Sequence, residues 1–244
     1  MFTSRRITTL GGSKFKNDYG IDCNVSAETG DIEVADHSSL DFTDNFSSVC
    51  WLKVRDVTKT WSGVYAKIDD ADPGDTAPYK LWIGPSGTLR FEIDEESGSR
   101  VDWTSIADNI WYHVGITYSK AASAVKMYIN GTEVGSTSYA SSITSSTGVL
   151  KIAIAEDSGH DWIGSIDDLA FYNTTLTAND MQTAYNGRES FDHNSWSNKS
   201  GLAAYYRMGD GLENGSGTTL YDMSNNSNNG TISGDIAFSG NVHN

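Results

Sequence analysis

"YKLWIGPSGTLRFEI", residues 79–93, is a hairpin written out in full. Leu81 and Ile83 fall on one face of a first strand, and Trp82 falls on the other. After "PSGT", Leu89, Phe91 and Ile93 alternate with Arg90 and Glu92, and Gly87 supplies the positive φ that a tight turn needs. Each half has one face for a core and one face that carries aromatic or charged side chains.

The same grammar recurs on both sides. Strand-like runs stand at 31–35 (DIEVA), 47–54 (SSVCWLKV), 63–68 (GVYAKI), 111–118 (WYHVGITY), 125–131 (VKMYING), 149–155 (VLKIAIA), 162–172 (WIGSIDDLAFY) and 202–208 (LAAYYRM). Asn130-Gly131 reads as a second hairpin turn. Helical periodicity is confined to "ANDMQTAY", 178–185, with Thr177 placed as its N-cap. Many short strands, 24 Gly and only 3 Pro in 244 residues predict an all-β antiparallel sandwich with one short helix.

Charge and composition narrow the classes of function. The formal charge is −15, yet residues 1–17 hold Arg5, Arg6, Lys14 and Lys16 and no acid. An acidic body predicts no nucleic-acid partner, and the basic start reads either as a disordered terminus, the commoner case, or as an arm that docks on an acidic partner. No run approaches the ~20 apolar residues of a membrane span, so membrane insertion is not expected. The first residues lack the apolar stretch of a secretory signal. Cys50 lies in register with Leu52 and Val54, as a small core residue would. Whether it pairs with Cys23 is open from the sequence. The stretch 186–201 (NGRESFDHNSWSNKSG) reads as a linker.

Candidate chemistry is sparse. No serine-hydrolase elbow, zinc-protease motif or phosphate loop is present, and His113 reads as a structural residue. Trp82 on an outward face and Trp103 near a strand end, together with Glu92 and Asp94, are the candidate ligand-binding residues. Trp61 and Trp162 also lie near strand ends, where a core or rim role is expected. The loop at 68–78 (IDDADPGDTAP) is a further acidic candidate for cation binding or recognition. On a regular strand Asp167 and Asp168 face opposite sides, with Asp167 on the side of Leu169 and Phe171. An inward carboxylate must be hydrogen-bonded, paired or coordinated.

The blocks at 32–54, 79–93, 111–134 and 164–187 together resemble a laminin-G-like domain of the concanavalin A-like lectin/glucanase superfamily. The resemblance carries a jelly-roll sandwich over 21–244, preceded by an arm at 1–20. It also brings a structural Ca²⁺, for which Asp167 and Asp210 are the candidate ligands; the alternative is that Asp167 accepts hydrogen bonds from loop amides. "EIDEE", with Glu92, Asp94 and Glu96, is similar to the catalytic strand of family 16 glycoside hydrolases. Retaining hydrolysis places its carboxylates roughly 5–5.5 Å apart, whereas Glu92 and Glu96 on a regular strand sit about 13 Å apart. A non-enzymatic domain is therefore expected.

Residues 201–235 resemble the segment that usually begins such domains and read as a displaced strand segment completing the sandwich. Tails of this "YYRMGDG" kind resemble those of bacteriophage virion proteins. The implied role is capsid decoration or a tail component, with other virion proteins and cell-surface glycans as partners and homo-oligomers allowed. The implied location is the virion. A secreted, extracellular lectin module is the first alternative, and a family 16-like hydrolase the second.

Overall fold

A computed structural model describes residues 15–23, 30–59, 61–68, 77–85, 87–154 and 160–243. Arg5, Arg6 and Lys14 of the basic arm, and positions 69–76 of the acidic loop, lie outside them. Two antiparallel sheets face each other as a sandwich.

The strands are β1 (Gly20–Cys23), β2 (Ile32–Val34), β3 (Asn45–Val54), β4 (Ser62–Lys67), β5 (Tyr79–Gly84), β6 (Thr88–Ile93), β7 (Val101–Trp103) and β8 (Trp111–Ser119). They continue with β9 (Ala124–Ile129), β10 (Thr132–Ser138), β11 (Leu150–Ile152) and β12 (Gly164–Tyr172). After helix α1 (Ala178–Tyr185) come β13 (Leu202–Tyr206), β14 (Thr219–Leu220), β15 (Gly230–Ile232) and β16 (Ile236–Ser239). The first sheet runs β10-β9-β8-β3-β12-β1-β16, and β13 also pairs with β12. The second runs β14-β15-β2-β11-β4-β5-β6-β7.

The hairpin quoted first pairs Leu81 with Phe91 and Ile83 with Leu89, as its alternation requires. Asn130 and Gly131 both take positive φ, 50° and 76°, which is the turn that matches the strand twist of β9 and β10. Inner-face rings fill the space between the sheets. Phe46 stacks on Phe91 at 5.6 Å and meets Phe42 edge-on at 5.0 Å, while Tyr65 meets Phe171 edge-on at 5.0 Å. Cys50 belongs to this core, and Cys23 and Cys50 are both buried free thiols.

The tail enters both sheets. β13 pairs with the C-terminal half of β12, β1 with its N-terminal half, so the two lie end to end along one strand. β15 pairs with β2 in the opposite sheet, and β16 pairs with β1. Packing begins before residue 20, because Asn17 is already buried.

A second apolar layer covers the outer face of the first sheet. Thr177 and Asp180 form a reciprocal capping box, and the short helix lays Met181 and Ala184 against Val49, Ala170 and Tyr205. A Cβ on Gly115 would stand 2.5 Å from the Met181 sulfur, so glycine there is what lets the helix approach β8. The stretch 186–201 is not a free linker: His193 is buried, and Phe191 and Trp196 pack on this layer. Among the described residues no helix is long and apolar enough to cross a membrane.

Candidate functional site

The outer face of the second sheet is built by alternation. Leu81 and Ile83 go inward, so Trp82 goes outward; Leu89 and Phe91 go inward, so Arg90 and Glu92 go outward. Trp61, immediately before β4, lies over Trp82 with ring centroids 4.8 Å apart and planes inclined at 31°. Trp61 is 44% exposed, whereas Trp82 beneath it is 2% exposed. The Trp61 backbone sits at φ 69°, a region that bulky residues rarely enter, and its N–H donates to the Ile83 carbonyl at 2.6 Å.

Charges surround this pair in compensated groups. The Lys80 ammonium and the Arg90 guanidinium lie 5.0 and 5.5 Å from the Trp82 ring centroid. Arg90 donates to both oxygens of Asp102 at 2.7 Å, which raises its already high pKa. Glu92 takes Arg100 Nε at 2.6 Å and Lys80 at 3.3 Å, and Lys80 also reaches Glu95 at 2.7 Å. His160 completes the rim, 6.3 Å from Trp61. The Trp82 indole N–H is buried and has no acceptor among the described residues.

The structure separates the four ligand-binding candidates. Trp82 is an outward residue, as its parity demands, but Trp61 covers it. Glu92 is outward yet only 1% exposed, held by its two cations rather than by solvent. The regular strand expected through Glu96 ends at Ile93. Asp94 and Glu95 turn at φ 49° and 54°, so Glu92, Asp94 and Glu96 do not share one outward row. Asp94 accepts from the Tyr139 hydroxyl at 3.0 Å and the Thr144 amide at 3.0 Å, closing the 139–144 loop onto the strand end. Trp103 packs edge-on against Tyr112 at 5.0 Å, at the border of the core.

The paired acids lie elsewhere. Asp167 opposes Trp51 and Ala170 opposes Val49, so two residues of β12, Asp168 and Leu169, face one of β3. This bulge, with Asp168 at φ 48°, breaks the parity used for the sequence reading. Ile166, Leu169 and Phe171 enter the main core, while Asp167 does not share the side of Leu169. It lies instead beside Trp51, beneath the covering layer of the first sheet.

There Asp167 is fully buried and ties together the two ends of the described chain. It accepts from Asn17 Nδ2 at 2.7 Å and contacts His243 Nδ1 at 3.0 Å, and the His243 ring stacks on Trp51 at 4.2 Å. Asp168 accepts from the Tyr205 hydroxyl at 2.9 Å. Burial pushes Asp167 up and, with the Asp167 charge beside it, pushes Asp168 up to about 8. Burial pushes His243 down to about 4 and His113 and His193 down to about 3. Asp210 accepts from the amides of Asp18 and Tyr19 at 2.8 Å through one oxygen.

These contacts fit hydrogen-bonded tethers better than a cation cage. Among the described residues no group of three or more His, Cys, Asp or Glu could hold a metal ion. Trp61 is the residue that sequence reasoning placed at a rim and did not single out. Its position just before a strand, next to a paired outward tryptophan, was the available signal.

No curated protein sequence matches the chain. Among solved structures, a protein from Bacteroides ovatus ATCC 8483, described as a candidate carbohydrate binding protein, superposes with a TM-score of 0.66 at 20% identity. The match covers 92% of this chain and 60% of that one, so this chain spans less than two thirds of its length. The binding domain of Botulinum Neurotoxin DC in complex with SialylT gives a TM-score of 0.50 at 17% identity, over 69% of this chain and 42% of that one. At such identities the likeness concerns the fold. The Laminin_G_3 family model matches residues 26–182, more than half of the sequence, and the chain therefore belongs to the concanavalin A-like lectin/glucanases superfamily.

Proposed function

We propose that this domain is a non-catalytic glycan-binding module whose binding face is the outer surface of the second sheet. One observation carries the reading: an exposed Trp61 ring, braced on Trp82, amid guanidinium, carboxylate and imidazole groups. A flat indole offers an apolar surface to the C–H face of a pyranose, and the flanking polar groups match its hydroxyls. The Trp82 N–H, which has no acceptor among the described residues, is a donor that a ligand hydroxyl satisfies once Trp61 shifts. Leaving such a group unpaired costs about 1–3 kcal/mol. The likeness to carbohydrate-binding folds supports the same class of ligand.

The test is a glycan array followed by calorimetry on the wild type and Trp61→Ala. Saturable binding that weakens by about tenfold or more in the variant is expected, with a cooperative melt retained although lowered by the exposure of Trp82. Absence of binding to any saccharide, or equal binding by the variant, contradicts the proposal. Hydrolysis of a bound glycan would restore the glycoside hydrolase reading.

The finer reading places the module on a phage virion, as a capsid decoration or tail component facing host glycans. The resemblance of residues 201–235 to virion-protein tails supports it. A secreted lectin is the alternative, with the same binding face. Mass spectrometry of purified particles decides: the chain is expected among the particle proteins, and its recovery only from culture supernatant favours the secreted lectin.

A further inference from the structure

The stretch 186–201 lies beyond the family match at 26–182, and part of it lines a cleft away from the second sheet. Between this stretch and the loop after β14 is a cleft of about 610 Å³, within the usual range for small-ligand sites. Ser197, Lys199 and Ser200 line it from one wall and Asn225 from the other, with Leu202 and Met223 as apolar lining.

The far wall is fixed in place. Buried Asp222 accepts from the amides of Tyr205, Ser224 and Asn228 at 2.9, 2.8 and 2.9 Å, and from the Ser224 hydroxyl at 2.7 Å. Asn226 and Asn228 each donate a side-chain amide to the Ala203 carbonyl at 2.9 Å. Asn194 ties the two walls together by donating to the Met223 carbonyl at 2.8 Å. A loop held this way is preorganised, which lowers the entropic cost of binding.

The charge of the cleft opposes that of the molecule. The chain is formally −15, yet no carboxylate is among the described residues lining this cleft. Lys67, Lys80, Lys120, Lys126 and Lys151 each hold a carboxylate. The Lys199 ammonium has no such partner among the described residues, and the side chains of Ser197, Ser200 and Asn225 donate to no protein group there.

We infer that this cleft is a second saccharide site, selective for sugars that carry a single carboxylate. One ammonium balances one negative charge, hydroxyl and amide groups match ring hydroxyls, and Leu202 with Met223 offers a surface to the sugar's C–H face. The site differs in charge from the Trp61 face, whose cations are compensated, so the module would engage two chemical classes of glycan residue at separate places.

The experiment titrates the full chain with methyl glycosides of glucuronate, galacturonate and N-acetylneuraminate. Methyl glucoside serves as the neutral match and acetate as the free carboxylate. At least one acidic glycoside is expected to saturate, with methyl glucoside and acetate weaker by about tenfold or more. Lys199→Gln should weaken that binding by a similar factor with an unchanged melt, Ser200→Ala should weaken it less, and Trp61→Ala should leave it intact. Equal affinity for the glucoside or for acetate overturns the inference. So does indifference to Lys199→Gln, or failure of all three acidic glycosides. Loss of binding in Trp61→Ala but not in Lys199→Gln assigns the ligand to the sheet face instead.

Discussion

The two outer faces of the sandwich begin alike and end differently. Each is the outward parity of a strand set whose other parity fills one core, and each carries acids and tryptophan. On the first sheet, Trp51, Asp167 and Asp168 are buried beneath α1, the 186–201 stretch and the chain's last described residues. On the second, Trp61 lies over Trp82, Lys80 and Arg90 approach the same ring, Glu92 is held by Lys80 and Arg100, and Trp61 itself reaches solvent. A carboxylate under a covering layer is held in hydrogen bonds; a tryptophan at the rim of the other face keeps its ring in solvent. What is laid over a strand, more than the strand's own residues, decides the outcome.

Stripping the cover should have the largest effect. A chain ending at Gly187 loses β13, β14, β15 and β16 from both sheets, with buried Leu202, Tyr205 and Tyr206 among the losses. Burying each such side chain contributes roughly 1.5–3 kcal/mol, and a domain has only about 5–15 kcal/mol in total. The truncated protein should show no cooperative melt. A melt within a few degrees of the full chain would mean that the tail is an appendage.

Forcing the cover outward is a milder perturbation. Gly115→Ala puts a methyl group against the Met181 sulfur, and since the thioether end can swing aside the cost should be at the low end, about 1 kcal/mol. Chemical denaturation should report that loss with an unchanged slope. No change would show that the helix yields freely.

The buried acids and histidines give the covered face a pH signature. Asp168, raised to about 8, contributes stability below the unfolded carboxyl pKa that fades as pH rises through 8. The histidines, lowered to about 3 or 4, contribute stability above their unfolded pKa near 6.5 that fades as pH falls through those values. Melting temperature should therefore peak near pH 6–7. The fall from there to pH 8 should be on the order of 1–2 kcal/mol and should shrink in Asp168→Asn, leaving the part that Asp167, also raised by burial, contributes. A flat profile up to pH 8 would show that Asp168 titrates normally.

The smallest expected effect is that of calcium. With Asp167 and Asp210 engaged as hydrogen-bond acceptors, added Ca²⁺ or chelator should leave the melt unchanged, whereas binding at a hundredfold excess over Kd would add about 2.7 kcal/mol. A calcium-dependent rise would restore the cation reading.

Alternation and turns were legible in the sequence. The 79–93 hairpin, the Asn130-Gly131 turn, the Thr177 cap and the inward Cys50 all follow from local pattern. Parity failed at two places, the bulge at Asp168 and the turn at Asp94-Glu95. In both an acidic residue takes positive φ without a glycine to announce it, and Asp tolerates that conformation better than most residues. The cover was illegible for a different reason. Asn17, Asp167 and His243 are far apart in the chain, and no local window joins them. The 186–201 stretch is polar and lacks periodicity, so its packing through His193 and Phe191 has no local signal either.

The outer face of the second sheet can be read directly by titrating the uniformly labelled protein with the best neutral saccharide from the array while following the indole N–H resonances. Those of Trp61 and Trp82 should shift together and saturate, with Trp51 and Trp162 unmoved, and the shifts should disappear in Trp61→Ala. Saturable shifts that spare both Trp61 and Trp82 would contradict a glycan-binding face on the second sheet.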